Sequence, residues 1–314
     1  MNKVIKKLPV IFLMGPTASG KTDLAIELHK QRGCELISVD SALVYRNLNI
    51  GTAKPTAEEL AEAPHHLIDI CEPGQPYSAS QFCIDAKILI EKILAKGKIP
   101  VLVGGTMLYF KSLRDGLADL PEADQDIRKS IADEAKVKGW PFMHGKLRQF
   151  DIDSANRIKA TDPQRIQRAL EVYMISGKTL TEYFKEQAEQ SLPYPILNIA
   201  IAPKDRALLR DRISLRFDLM LEQGFIDEVK GLYHGGALSA DLPAMRSVGY
   251  RQAYEYLSGE IDYQTMREKA IVASRQLAKR QMTWLRSWPD LHWLETGREE
   301  NYQRVDELID SFMD

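Results

Sequence analysis

A chain of 314 residues, 44% of them hydrophobic, can bury a large core and has the length of about two domains. Three widely spaced cysteines (Cys34, Cys71, Cys83) exclude a disulfide framework and a cysteine metal site, and no apolar run approaches the roughly 18 residues of a membrane span. The formal charge of −2 argues against a nucleic-acid partner only as an average, because charge is unevenly distributed along the chain.

At the N-terminus, Lys3, Lys6 and Lys7 followed by Leu8 to Met14 imitate a signal peptide. That reading fails because cleavage after a small residue would fall within or beside the next motif, and the apolar run is short enough for a central strand. Val10 to Met14 therefore reads as a buried parallel strand. Gly15-Pro16-Thr17-Ala18-Ser19-Gly20-Lys21-Thr22 follows it, with two glycines, four intervening residues, then Lys and Thr. This is a phosphate loop: backbone N–H groups turn inward around phosphate oxygens, Lys21 reaches the outer phosphates, and the Thr22 hydroxyl can ligate Mg²⁺. A helix starting at Lys21, with Leu24, Ala25 and Leu28 at helical spacing, adds its N-terminal dipole.

Two more strands end in polar groups where open α/β sheets bind ligands. Glu35 to Ser41 delivers Asp40 and Ser41, and Ile99 to Thr106 ends in Gly-Gly-Thr. A nucleotide hydrolase would close such a strand on an acid, which the Gly-Gly-Thr turn lacks. Asp40 has two readings, a metal organiser or a base aimed at an acceptor. The adjacent His65 and His66 would point apart on a strand, which disfavours a shared metal.

After a helical segment at Leu108 to Leu113, prolines bracket a largely helical stretch between Leu120-Pro121 and Pro193-Tyr194-Pro195. Ile196 to Ala202 then resumes strand character. The organisation expected is an α/β, P-loop NTPase-like parallel-sheet core over 1–118 and 195–314, with an α-helical insertion domain at 119–194. Helices over Lys204 to Val229, Tyr250 to Leu257 and Tyr263 to Arg286 complete the core. From Ile271 to Trp288 there are four basic residues and no acid, whereas Pro289 to Asp314 holds eight acids and two basic residues, so an acidic tail masks a basic helix.

Taken in order, several segments resemble the successive motifs of bacterial tRNA dimethylallyltransferases. They are the phosphate loop, Ser38 to Arg46, Gly51-Thr52-Ala53-Lys54-Pro55, Pro64-His65-His66-Leu67, Val103 to Tyr109, Asp162 to Arg168, Ser247 to Gln252 and Leu277 to Arg286. The resemblance spans nearly the whole chain and is weakest in the acidic tail. It implies transfer of a dimethylallyl group from its diphosphate to the exocyclic N6 amine of the adenine 3′-adjacent to the anticodon of tRNA, with release of diphosphate. It also implies a nucleotide-type phosphate loop, Mg²⁺ as cofactor, tRNA and dimethylallyl diphosphate as partners, no membrane, and a cytoplasmic enzyme, expected to be monomeric.

The chemistry of that reaction distributes the residues. Ionisation of an allylic diphosphate builds negative charge on the leaving group, which Lys21, the loop N–H groups, Mg²⁺ held through Thr22, and Thr106 are suited to neutralise. Arg212 and Arg216 share a helix face, and Arg216 matches a diphosphate-touching arginine of the family. Asp40 is the candidate to accept the amine proton, with Ser41, Ala42 and Leu43 holding a flipped adenine. Gln164, Arg165, Ile166, Gln167 and Arg168 read as an RNA-contacting helical turn, and Arg128 as an RNA contact by the resemblance alone. Arg246, Ser247, Val248, Gly249, Tyr250 and Arg251, and Lys279, Arg280, Gln281, Trp284 and Arg286, complete the expected tRNA surface. Two other classes compete. A guanine-nucleotide switch lacks its Asn-Lys-x-Asp segment, whereas for a small-molecule kinase the insertion would imitate the lid.

Overall fold

The computed structural model describes residues 8–118, 120–186, 191–234 and 242–313, and only the backbone of His234, Pro243 and Arg246. Lys3, Lys6 and Lys7, the expected insertion boundary at Asp119, and the Arg246 side chain lie outside the described residues. Two compact units emerge, one formed by 1–110 and 193–314 and one by Lys111–Leu192.

The first unit is built on six parallel strands. These are β1 (Val10–Met14), β2 (Glu35–Val39), β3 (His65–His66), β4 (Pro100–Gly104), β5 (Ile196–Ala202) and β6 (Leu291–Glu295), arranged β3-β2-β4-β1-β5-β6. Every residue of β1 and β4 is buried, as a sheet covered on both faces requires. On one face, Ile11 and Leu13 pack with Leu24 and Leu28 of α1 (Lys21–Arg32). On the other, Phe12 meets Phe110, which also touches Trp288. The register pairs Gly104 with both Met14 and Val39. The carboxyl ends of β1, β4 and β2 are therefore level, and the turns that follow them meet.

The short helix α2 (Ala57–Glu62) and the longer α3 (Ala79–Ala95) follow β2 and β3 in the chain, and α4 (Met107–Asp115) starts just beyond the Gly-Gly-Thr turn. At the edge strands, Glu35 accepts from Lys96 at 3.1 and 3.2 Å and from His66 at 3.3 Å, with Lys98 at 3.1 Å. Burial opposes the charge on Glu35, but the two lysines and the histidine outweigh it and hold its pKa at about 2. A depressed carboxylate stabilises the fold fully above its unfolded value near 4.5 and loses that contribution as the pH falls through about 2. Comparison of Glu35→Gln with the parent by thermal melting is expected to show a lower Tm at pH 7 and a gap that narrows from pH 4.5 downward. A gap independent of pH would disprove the ion cluster's role.

Among its described residues the second unit's regular elements are all helices: the end of α4, then α5 (Gln125–Lys138), α6 (Trp140–Phe150), α7 (Ile152–Arg157), α8 (Pro163–Ser176) and α9 (Leu180–Glu186). Their apolar stripes share a core that includes Ile131, Leu147, Ile166 and Leu170. The unit takes Lys111–Leu192 rather than 119–194. Helix α4 runs unbroken to Asp115, and the Leu192 N–H returns to the Arg114 carbonyl (3.3 Å), so the chain leaves and re-enters earlier than the prolines suggested.

C-terminal to β5, the expected helix over Lys204 to Val229 is two helices, α10 (Arg206–Glu222) and α11 (Phe225–His234), separated by Gly224 at φ 93°. That left-handed conformation ends a helix and suits glycine. Helices α12 (Tyr250–Leu257) and α13 (Tyr263–Arg286) follow, and the acidic tail folds into β6 and α14 (Asn301–Met313). In α14, Val305 and Ile309 are buried in the sheet core while Asp306 and Asp310 pair with Arg32. No helix among the described residues is long and apolar enough to cross a membrane.

Candidate active site

Three turns converge where the register levels the strand ends. The phosphate loop enters α1 through Gly20 at φ 85°, with Ala18 at φ 62° also left-handed. No side chain caps α1, so its first-turn N–H groups are open to an anion. Lys21 Nζ donates to the Pro16 carbonyl at 2.7 Å and to Ser19 Oγ at 3.4 Å. Burial, with Arg216 adding repulsion and Asp40 opposing both, lowers the Lys21 pKa to about 7.

Helix α10 reaches the loop with two arginines. Arg212 Nε donates to the Ala18 carbonyl (2.9 Å) and Arg216 Nη1 to Thr17 Oγ1 (3.2 Å). Arg212 therefore braces the loop backbone. Arg216 is half-buried, and the desolvation weakens its hold on its proton while the charge of Asp40 partly restores it. From the far side, Thr296 Oγ1 donates to the Ser19 carbonyl (2.9 Å).

Asp40, one residue beyond β2, accepts through Oδ1 from the N–H groups of Ala42 (2.8 Å) and Leu43 (3.3 Å). Among the described residues no donor reaches Oδ2. Thr106 Oγ1 accepts from the Ser41 N–H (3.1 Å), and the Thr106 N–H donates to the Val39 carbonyl (3.2 Å). Thr106 keeps its own hydroxyl proton available for donation. These groups open on one cavity of about 470 Å³ whose wall also includes Thr17, Lys21, Thr22 and Arg216 at the polar end and Phe217, Met220, Leu277 and Trp284 as apolar surface.

The structure brings together only part of the expected RNA surface. Ser41, Ala42, Leu43, Ser247, Val248, Arg280, Gln281 and Trp284 line the cavity, while Lys279 and Arg286 are exposed on α13. Tyr250 is not available to RNA: it is 1% exposed, and its hydroxyl donates to Glu228 Oε1 at 2.6 Å. Burial, then the charge of Glu228, raises its pKa. Glu228 also accepts the N–H groups of Asn49, Ile50 and Gly51, so Tyr250 and Glu228 clamp the loop whose Gly51, Thr52 and Ala53 line the cavity. Gly249, at φ 94°, and the exposed Arg251, paired with Glu255, flank it. Gln281 is likewise buried, although it faces the cavity.

In the second unit, Ile166 is a core residue whose buried side chain offers no surface to RNA. Arg128 and Arg168 both pair with the fully buried Glu171 at 2.9 and 2.7 Å, and Gln167 Nε2 donates to the Arg128 carbonyl (2.9 Å). A buried carboxylate requires such partners, which makes these arginines structural whatever else they touch. Gln164 and Arg165 are exposed, Arg165 lying 3.5 Å from Asp162.

Sequence reasoning missed Glu228, which beside Asp227 in the first turn of α11 reads as an ordinary helix-start acid. It assigned no role to Ser38, whose buried Oγ has no partner among the described residues and which lines the same cavity as Asp40. Alternation along β2 would have placed Ser38 beside Asp40. Among the described residues no His, Cys, Asp or Glu cluster could hold a metal, in keeping with His65 donating to the Ala63 carbonyl and His66 pairing with Glu35.

A family model described as IPP transferase matches residues 43–288, and one described as isopentenyl transferase matches residues 8–69. The chain belongs to the IPP transferase family. Among solved structures, the full-length tRNA isopentenylpyrophosphate transferase from Bacillus halodurans is 34% identical over 98% of this chain and 97% of that one, with a TM-score of 0.72. The tRNA delta(2)-isopentenylpyrophosphate transferase from Staphylococcus epidermidis is 36% identical over 96% of this chain and 98% of its own, with a TM-score of 0.69. A eukaryotic dimethylallyltransferase acting on tRNA is 26% identical, covers 98% of this chain and 79% of its own, and has a TM-score of 0.83. The core is P-loop NTPase-like, and the chain is an enzyme of the prenyltransferase class.

Proposed function

We propose that this chain transfers the dimethylallyl group of dimethylallyl diphosphate to the exocyclic N6 amine of the adenine 3′-adjacent to the anticodon in tRNA, releasing diphosphate. The observation that carries the reading is one cavity with a cationic phosphate loop on one wall and Asp40, with Oδ2 open, on another. The similar proteins are described as tRNA isopentenyl or dimethylallyl transferases, which agrees with it.

The diphosphate would lie on the loop, against the open N–H groups of α1, with Lys21 and Arg216 around it. As the bond from carbon to the bridging oxygen breaks, the electron pair leaves with diphosphate. Lys21, Arg216 and the Thr106 hydroxyl stabilise that charge. The apolar wall formed by Phe217, Met220, Leu277 and Trp284 excludes water, which would otherwise capture the allylic cation. The amine nitrogen attacks the cationic carbon, and its proton passes to Asp40 Oδ2 as the carbon–nitrogen bond forms. Holding the pair in one cavity replaces a bimolecular encounter.

Mg²⁺ fits this donor set: the ion takes few protein ligands and keeps water and phosphate oxygens, and here only the Thr22 hydroxyl need come from the chain. Bound there, it would supply further charge neutralisation for the diphosphate. Ser41, Leu43, Val248, Arg280 and Trp284 are the proposed RNA contacts of the cavity, and Gln164 and Arg165 those of the second unit. We read the enzyme as a monomer, working in the cytoplasm where tRNA is found.

Purified protein given labelled dimethylallyl diphosphate, Mg²⁺ and unmodified tRNA, without ATP, is expected to label the RNA. A strict requirement for ATP, as a kinase would show, or labelling of no RNA would overturn the reading.

A further inference from the structure

Gln281 was expected to face RNA, as a polar member of the basic helix α13. Its amide points elsewhere. Oε1 accepts the N–H of Thr17 in the phosphate loop at 3.0 Å, and Nε2 donates to the carbonyl of Gly105 in the Gly-Gly-Thr turn at 2.9 Å. Only one orientation of the amide satisfies both bonds, because the loop offers a donor and the turn an acceptor. The residue is 7% exposed, so both bonds are shielded from competing water. A second observation agrees. A Cβ on Gly105 would lie 2.3 Å from Gln281 Nε2 and 3.3 Å from the Gly15 carbonyl, so the absent side chain at 105 is what lets the amide sit between the two turns.

We propose that Gln281 is a positioning residue that sets the spacing between the phosphate loop and the Thr106 turn, so that both grip the leaving diphosphate at once. This rests on the diphosphate occupying the loop as in the function proposed above. The loop carries Lys21 and the open N–H groups, and Thr106 follows directly on Gly105. Neither turn bonds the other directly among the described residues; Gln281 spans them. Without it, each turn keeps its own support, Arg212 and Thr296 on the loop and Val39 on Thr106, and beyond the pairing of Met14 with Gly104 at their bases no bond among the described residues holds their separation. An error of about 1 Å in such spacing costs on the order of 100-fold in rate.

Inorganic diphosphate with Mg²⁺ is the probe, measured by calorimetry on the full chain. Gln281→Met, similar in volume but unable to make either bond, is expected to weaken diphosphate binding about tenfold, an effect typical of coupled hydrogen-bonded groups. Thr106→Val should weaken binding about tenfold in the parent yet less than about twofold in the Gln281→Met background, because an unheld Thr106 no longer contributes. Affinity for an anticodon stem-loop RNA should stay within about twofold, and the transfer rate at saturating substrates should fall with little change in the KM for tRNA. Equal losses for Thr106→Val in both backgrounds, or unchanged diphosphate binding in Gln281→Met, would overturn the proposal. If Gln281→Met does not fold, Gly105→Ala, which displaces the amide from the opposite side, replaces it in the same cycle. A parent protein that binds diphosphate but labels no RNA would refute the function while leaving this cycle a valid test of Gln281.

Discussion

Asp40→Asn is expected to slow dimethylallyl transfer by about 10²- to 10⁴-fold, the range over which a positioned general base contributes. The substitution isolates proton acceptance from architecture. Asparagine retains a carbonyl oxygen to accept the N–H groups of Ala42 and Leu43, so the turn after β2 should keep its shape. What disappears is the carboxylate oxygen at Oδ2, the proposed acceptor of the amine proton. Affinity for tRNA should therefore change little, and single-turnover transfer with saturating RNA is the direct measurement. Normal turnover in this variant would remove Asp40 from the base role. A large loss of RNA affinity with unchanged chemistry would make it a binding residue instead.

Lys21→Met is expected to lower the transfer rate by about 10²- to 10³-fold, comparable to the loss of one strong donor from a charge-stabilising site. Lys21 sits among Arg216, Asp40 and the Pro16 carbonyl, and burial already works against its charge. An arriving diphosphate reverses that balance, since the ammonium then faces a dense anion. Methionine keeps the aliphatic stem without the charge, so the loop should retain its packing while losing its hold on the leaving group. The rate should fall both at saturating and at limiting dimethylallyl diphosphate, with RNA affinity unaffected. A variant within a fewfold of the parent would show that the leaving group departs from somewhere other than this loop.

Strands that lie deep in the sheet were legible from the sequence because their residues are apolar on both faces, with Asn198 of β5 the exception that meets Trp288. Val10 to Met14 and Ile196 to Ala202 form strands with those bounds. Helix α13 was equally clear and runs over the expected Tyr263 to Arg286, with Asp262 capping its start in the structure. Edge elements were not. Only Leu294 of β6 is buried, so the strand carries no apolar run, and its place depends on pairing with β5. In the acidic tail, charge obscured a helix whose Asp306 and Asp310 meet Arg32, far away in the chain.

The sequence by itself determined the chemistry on offer: a phosphate loop at Gly15 to Thr22, an acid at Asp40, a hydroxyl at Thr106, and a basic helix, each carried by a local pattern of residue types. Only the tertiary structure decided which motif residues face the cavity and which hold it in shape. Tyr250, Gln281 and Arg168 all stood within motifs expected to meet RNA, yet they turn to Glu228, to the phosphate loop and the Gly-Gly-Thr turn, and to Glu171. The reason is physical. A polar side chain in a motif has the same composition whether it meets a ligand or a buried partner: the partners of Tyr250 and Gln281 lie 22 to 264 residues away, and although Glu171 is only one helical turn from Arg168, the fold alone buries its carboxylate.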